Sequence, residues 1–284
     1  MNRLIPIVVL LALLTAACGE GKKEEVTAKK EFRIPDSLLS PLDGYQLTRD
    51  DYHPVTGGIM ESGEIVLHYP ASEVARYVAV ETFGIARDAY RLTREEIGPP
   101  SDGRVVLIGT RDLDEYRFLT RKEWWYYGVV RGDTIYFEPL DIMLKRSIIK
   151  MAVTQKIAQM ALDKRSGGRI PLWMKEGLAS RLADEWPIIK AQRAEFNDGK
   201  YDVTPPPERI EAVLEAADDR PLTRIAFYCA HVMVDRLVGE FGMERIMTFL
   251  DLLGEGRSSD EASGEAFGID YASLLDRVRL DGKE

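Results

Sequence analysis

The sequence predicts an α+β fold, with a small mixed β-sheet and helices in the N-terminal half and a mostly helical C-terminal half. Three observations predict it. Short runs of β-branched and aromatic residues lie between residues 64 and 138, with one long amphipathic helical pattern among them. A pair of helices separated by Gly167-Gly168 follows from Ser147. Amphipathic helical patterns then continue to the C-terminus, and no internal repeat is present.

The chain opens MNRLIPIVVLLALLTAACGE. Arg3 supplies a positive start, Leu4 to Leu14 is apolar, and small residues precede Cys18. That run is too short to span a bilayer, so residues 1–17 are expected to be a cleaved signal peptide. Leu14-Thr15-Ala16-Ala17-Cys18 is similar to a bacterial lipobox, which implies cleavage before Cys18 and lipidation of its thiol. Residues 18–48 are charged and lack apolar periodicity, as a tether between lipid and domain would. The domain is expected over 49–284, with a sheet-containing half at 49–140 and a helical half at 141–284.

Loss of residues 1–17 removes one basic side chain, leaving 37 basic against 47 acidic residues and a net charge of −10. With no basic patch carrying interleaved aromatics, nucleic acid is not an expected partner. With Cys18 lipidated, Cys229 has no intramolecular partner for a disulfide, and it is read as a small buried hydrophobe in an apolar helix.

Glu64-Ile65-Val66-Leu67-His68-Tyr69 alternates as a strand does. Ser72 is placed to cap a helix running to about Leu92, with Ala75, Val78, Thr82, Ile85 and Ala89 inward. Arg104 to Ile108 is apolar enough for a central strand. Tyr126–Val130 and Thr134–Glu138 flank Arg131-Gly132-Asp133 as a hairpin. The helix from Ile148 turns Met151, Ala152, Ile157, Met160 and Ala161 inward and stops at Gly167-Gly168. Lys156, Lys164 and Arg165 are read as its solvated flank. Pro171 suits the first turn of the next helix, PLWMKEGLA, whose apolar side carries Trp173, Met174, Leu178, Ala179 and Leu182. A helix or two follow Trp186, the loop Asn197 to Pro207 is expected to be extended, and three more amphipathic helices close the chain.

The phrase Trp173-Met174-Lys175-Glu176-Gly177-Leu178-Ala179 resembles the second active-site helix of gluzincin metallopeptidases, specifically bacterial peptidase MA-like domains. YYGVVRGDTIYF is similar to their hairpin, and the C-terminal helices also look like theirs, so the resemblance covers roughly residues 60 to 280. It implies a zincin-like fold. In that family the first helix carries His-Glu-x-x-His, two imidazoles on one helical face holding Zn²⁺ and a Glu serving as base. Here Thr154, Gln155 and Ala158 are assigned those positions. Ala158 has no ligand atom, Thr154 is a poor zinc donor, and Gln155 cannot take a proton. The expectation is a degenerate site with Glu176 as its remaining member, no zinc and no cofactor.

Trp173, His231, Tyr136 and Trp125 are the candidate groove residues. Trp124 to Tyr127 reads either as a recognition surface or as core. Glu176 could equally be a surface carboxylate or a partner of Arg169 or Arg181. His231 could face Glu176 or be a satisfied structural residue. His53 and His68 are read as surface residues. In active relatives a peptide lies beside the edge strand, whose counterpart here would be Thr134–Glu138. The reading is therefore a lipid-anchored pseudoenzyme of the bacterial cell envelope, on the extracytoplasmic side, that binds a peptide or envelope protein without cutting it. Gly19 after the lipidated Cys points to the outer membrane. Two alternatives stand beside it, a zinc metallopeptidase with an atypical metal site and a structural component of the envelope.

Overall fold

The computed structural model describes residues 57–70, 73–194 and 204–280. The signal peptide, Cys18, the tether, His53 and the Ser72 cap lie outside the described residues. The architecture is α+β, as expected. A five-stranded sheet runs in the order β1-β2-β3-β5-β4, comprising β1 (Gly58–Ser62), β2 (Ile65–Tyr69), β3 (Val105–Gly109), β4 (Gly128–Arg131) and β5 (Thr134–Phe137). The outer pairs are antiparallel hairpins and the inner pairs, β2–β3 and β3–β5, are parallel.

Helix α1 (Glu73–Glu96) makes the crossover between β2 and β3, because parallel neighbours cannot be joined by a tight turn. Its Val78, Ala79, Ala86 and Ala89 pack on Ile65, Leu67, Val105, Leu107, Ile135 and Phe137 of one sheet face. Two further helices, α2 (Leu113–Thr120) and α3 (Leu140–Lys145), carry short patterns that sequence reading passed over, as it did β1. α2 is capped by Asp112, whose carboxylate accepts the Glu115 N–H.

Helix α4 (Ile149–Arg165) is buried on nearly every side. Met151, Ala152, Val153, Ile157 and Met160 join the core against the sheet, while Ala158, Ala161 and Leu162 join a second, helical core. The chain leaves α4 through Gly167 and Gly168 at φ +61° and +73°, a left-handed turn that glycine adopts without strain. α5 (Leu172–Leu182) follows directly after Pro171, and Glu211 accepts hydrogen bonds from the first N–H groups of α5, Leu172 at 2.6 Å and Trp173 at 3.2 Å.

The helical half continues with α6 (Trp186–Ala194), α7 (Pro207–Ala216), α8 (Arg220–Phe241), α9 (Met243–Gly254), α10 (Ser259–Phe267) and α11 (Tyr271–Val278). Five helices therefore follow the proline loop where three were expected. Within that loop, 197–203 lies outside the described residues. α5 and α8 cross almost backbone to backbone: a Cβ at Gly177 would lie 2.3 Å from the Ala230 carbonyl oxygen, so only glycine fits there. Cys229 is fully buried in α8.

Candidate functional site

Between its two apolar seams α4 carries a polar stripe, Gln155, Lys156 and Gln159, that faces α5 and the hairpin. These three, with Glu176 and Glu185, are each at most 6 % exposed, so the stripe is interior and not a solvated flank. Lys156 thus departs from the flank reading: its helix has no solvent side at that point. Lys164 and Arg165 are half-buried and ion-paired with Asp102 and Asp251.

The buried groups satisfy one another in two branches. Lys156 Nζ donates to Gln159 Oε1 at 3.1 Å, and Gln159 Nε2 donates to Glu176 Oε2 at 2.6 Å. An ammonium on one side and a carboxylate on the other leave the amide a single sensible orientation. In the second branch Glu185, in the turn after α5, accepts from the Tyr127 hydroxyl at 2.7 Å and from Gln155 Nε2 at 3.2 Å. Gln155 Oε1 is buried without a partner. The ammonium also lies over the rings of Tyr126 and Tyr127, 5.9 and 5.7 Å from their centroids.

Burial dominates the electrostatics. It pushes the Glu176 carboxyl up, while Lys156 and Lys175 pull the other way. It pushes Glu185 up too, with the Tyr127 hydroxyl pulling the other way. It pulls the Lys156 ammonium down, while Glu176 and Glu185 raise it. Two carboxyls and one amine therefore share an interior in which burial opposes every charge, Lys156 supports both carboxylates, and Glu176 opposes that of Glu185.

Of the assigned degenerate positions, Gln155 and Glu176 belong to this network and the other two do not. The Thr154 hydroxyl donates back to the Lys150 carbonyl at 2.9 Å, and Ala158 packs in the helical core. The side chains at spacing i, i+1 and i+4 that face α5 and the turn after it are Gln155, Lys156 and Gln159, one residue further along the helix than assigned. A one-residue advance turns a helix by about 100°, enough to exchange a polar face for an apolar one. Nor does Glu176 pair with Arg169 or Arg181, which bond instead to the Gly254 carbonyl and Asp235.

The groove candidates do not converge. Trp173 is 1 % exposed in the helical core, its indole N–H directed to the Tyr271 hydroxyl at 3.3 Å. Tyr136 points to the sheet face opposite Ile135 and Phe137, with the Arg131 guanidinium over its ring. Trp125 is half-buried and edge-on to Trp124. His231 faces Ser180 of α5, not Glu176, with Nδ1 2.9 Å from the hydroxyl. His68 is half-buried on β2. The strand expected at the sheet edge, Thr134–Glu138, is interior: β5 is paired on both sides and β4 forms the edge.

The residues that sequence reading missed are Lys156 as a buried cation, Gln159, and Glu185. Glu185 has no spacing signal, because it reaches the site from a turn. Gln159 had one, the four-residue step from Gln155 that aligns helical side chains.

A dication does not fit this donor set. Carboxamide oxygens are weak neutral donors, and an ammonium has no lone pair and repels the metal. Gln159's oxygen is already committed to Lys156 and Glu176 to Gln159. Among the described residues no three His, Cys, Asp or Glu side chains gather in a group able to hold a metal ion. The chain matches no model of a known protein family, and no curated protein matches it.

Proposed function

We propose that this chain is a lipid-anchored, metallopeptidase-like envelope protein without catalytic activity, which receives an extended peptide along its sheet edge. The observation that carries the reading is the side-chain set Gln155, Lys156 and Gln159. At the spacing where metallopeptidases of the resembled family place imidazole, carboxylate and imidazole, this helix has amide, ammonium and amide. A metal-activated water cannot be made from them, and the position of the family's base carries a lysine whose head group is committed to Gln159.

A binding role is supported by β4. Glu138 N–H bonds the Tyr127 carbonyl, and in the same antiparallel ladder Val129 and Arg131 face Tyr136 and Thr134. Alternation then directs the N–H and C=O groups of Gly128 and Val130 away from β5. Among the described residues no other strand pairs with them. Such an edge accepts a peptide strand with or without a metal nearby.

Two measurements test this. Metal analysis of protein purified without chelators should find far less than one zinc per chain; near-stoichiometric zinc would overturn the reading. On a peptide array, Val130→Pro removes one outward N–H while leaving the ladder to β5, and should weaken capture about tenfold, on the order of 1.4 kcal/mol. Unchanged capture removes β4 as the binding edge, and hydrolysis of any arrayed peptide refutes the absence of catalysis.

A further inference from the structure

The turn that leads into β4, Glu123 to Tyr126, closes through the Tyr126 N–H and the Glu123 carbonyl at 2.9 Å. It is anchored on two sides. The Tyr116 hydroxyl of α2 donates to the Tyr126 carbonyl, and the Tyr126 hydroxyl donates to the Leu214 carbonyl of α7 at 3.2 Å. Trp124 and Trp125, both half-buried and edge to face at 6.0 Å between centroids, are carried by this turn.

Two guanidiniums meet the Trp124 indole. The central carbon of Arg220, the first residue of α8, lies 4.7 Å from the ring centroid, and that of Arg146, just after α3, lies at 5.4 Å. Arg146 already gives one nitrogen to Glu138 at 2.6 Å, and its side chain is 34 % exposed. Arg220 has no such counter-charge. Among the described residues no carboxylate pairs with it, and of its nitrogens only Nε is enclosed, so the terminal pair remains open to solvent. A guanidinium against an aromatic ring keeps its in-plane N–H fork available for a ligand. Lys122 adds a third cation, its ammonium 5.1 Å from the Tyr126 centroid. Against these stand Glu138 and Asp219, the second of which caps α8 through the Leu222 N–H at 2.9 Å, while Glu123 pairs with Arg117 at 3.0 Å. A chain of formal net charge −9 thus keeps a positive corner at the entrance to β4.

We propose that Arg220, backed by Trp124 and Arg146, takes a carboxylate of the peptide that lies along β4. The inference rests on the β4 reading above and adds to it the class of peptide, an acidic one. Gly128 opens β4 four positions after Trp124, at most about 14 Å of chain, so a strand paired with Gly128 brings the residues beyond that end to the turn. Glu138 draws on Arg146 and repels an anion there, which leaves Arg220 as the stronger partner. Its fork matches the two oxygens of a carboxylate with parallel bonds, a fit that an amide of the same shape cannot reproduce.

The test is capture of the full chain on an array of peptides anchored at their N-termini. An acidic side chain and a free C-terminus offer the same group, so each sequence is arrayed in three forms. These are acidic with an amidated C-terminus, its Asn/Gln counterpart amidated, and that counterpart with a free C-terminus. One carboxylate form should be captured about tenfold more strongly than the neutral one, and which form it is identifies the source. Arg220→Gln should bring the ratio near one, and Arg220→Lys, which keeps the charge without the fork, should hold only part of it. A wild-type ratio of one overturns the site and needs no variant to fold, and a ratio that survives Arg220→Gln also overturns it. Val130→Pro separates the two readings, because it should weaken all three forms alike with the ratio kept. Unchanged capture in that variant, with the ratio still lost in Arg220→Gln, removes β4 and leaves the carboxylate site standing.

Discussion

Replacing Glu138 by glutamine should remove a large part of the protein's loss of stability between pH 5 and pH 8. Glu138 follows β5 and is fully buried; one oxygen accepts from Arg146 at 2.6 Å, and the other has no partner. Burial pushes its carboxyl from an ordinary 4.5 to about 7, with Arg146 pulling only partly back. A carboxyl raised in the folded state contributes its stability fully below the unfolded value and loses it as pH climbs through the folded one. From 4.5 to about 7 the full loss is about 3 kcal/mol, roughly 2 of it between pH 5 and 8. Glutamine keeps the shape and cannot ionise. Urea unfolding of both proteins at each pH gives a difference curve, free of the contributions of Glu176, Glu185 and His231 that both share. The variant should gain about 2 kcal/mol on wild type across that interval. Parallel curves would refute the account, and with it the assignment of Glu138 as a desolvated carboxyl.

Three further substitutions probe the rest of the framework. Gly177→Ala places a methyl 2.3 Å from the Ala230 carbonyl oxygen, so α5 and α8 must separate, and thermal unfolding should show a loss of about 2–3 kcal/mol. A melting temperature equal to wild type would mean that the helices do not cross there. Lys156→Met strips the ammonium from between Glu176 and Glu185, so the loss should be about 3 kcal/mol at pH 8 and clearly smaller at pH 5, where the carboxyls take up protons. Equal losses at the two pH values would deny that Lys156 balances buried carboxylates. Glu211→Ala removes the acceptor for two N–H groups at the start of α5 and should cost about 1–2 kcal/mol in urea unfolding, against no change if solvent replaces it.

Periodicity and punctuation were enough to read much of the fold. Val105 to Gly109 is wholly apolar because it lies between two parallel neighbours, and the two-residue turn at Gly132-Asp133 needs a positive φ, which Gly132 takes at +54°. α4 was visible from its apolar spacing and from the glycine pair that ends it. Its lysine was misread for a physical reason. Periodicity identifies a helix's polar stripe but says nothing of what covers it, and here the covering groups, Tyr127 and Glu185, come from a hairpin and a turn distant in sequence. The sheet order was equally out of reach, because whether Thr134–Phe137 or Gly128–Arg131 lies at the edge depends on which strand β3 selects, a choice made by long-range pairing.

By itself the chain determined the types of its strongly patterned elements, the α+β class, the glycine stop between α4 and α5, and the lack of imidazole pairs, all of which follow from local propensity and residue chemistry. Tertiary structure alone decided that Gln155, Lys156 and Gln159 look inward, that Glu185 completes their network, and that Ser180 meets His231. Each of those facts depends on helices whose approach is set by packing, Gly177 against Ala230 above all, and a buried charge takes its meaning from the groups that packing places around it.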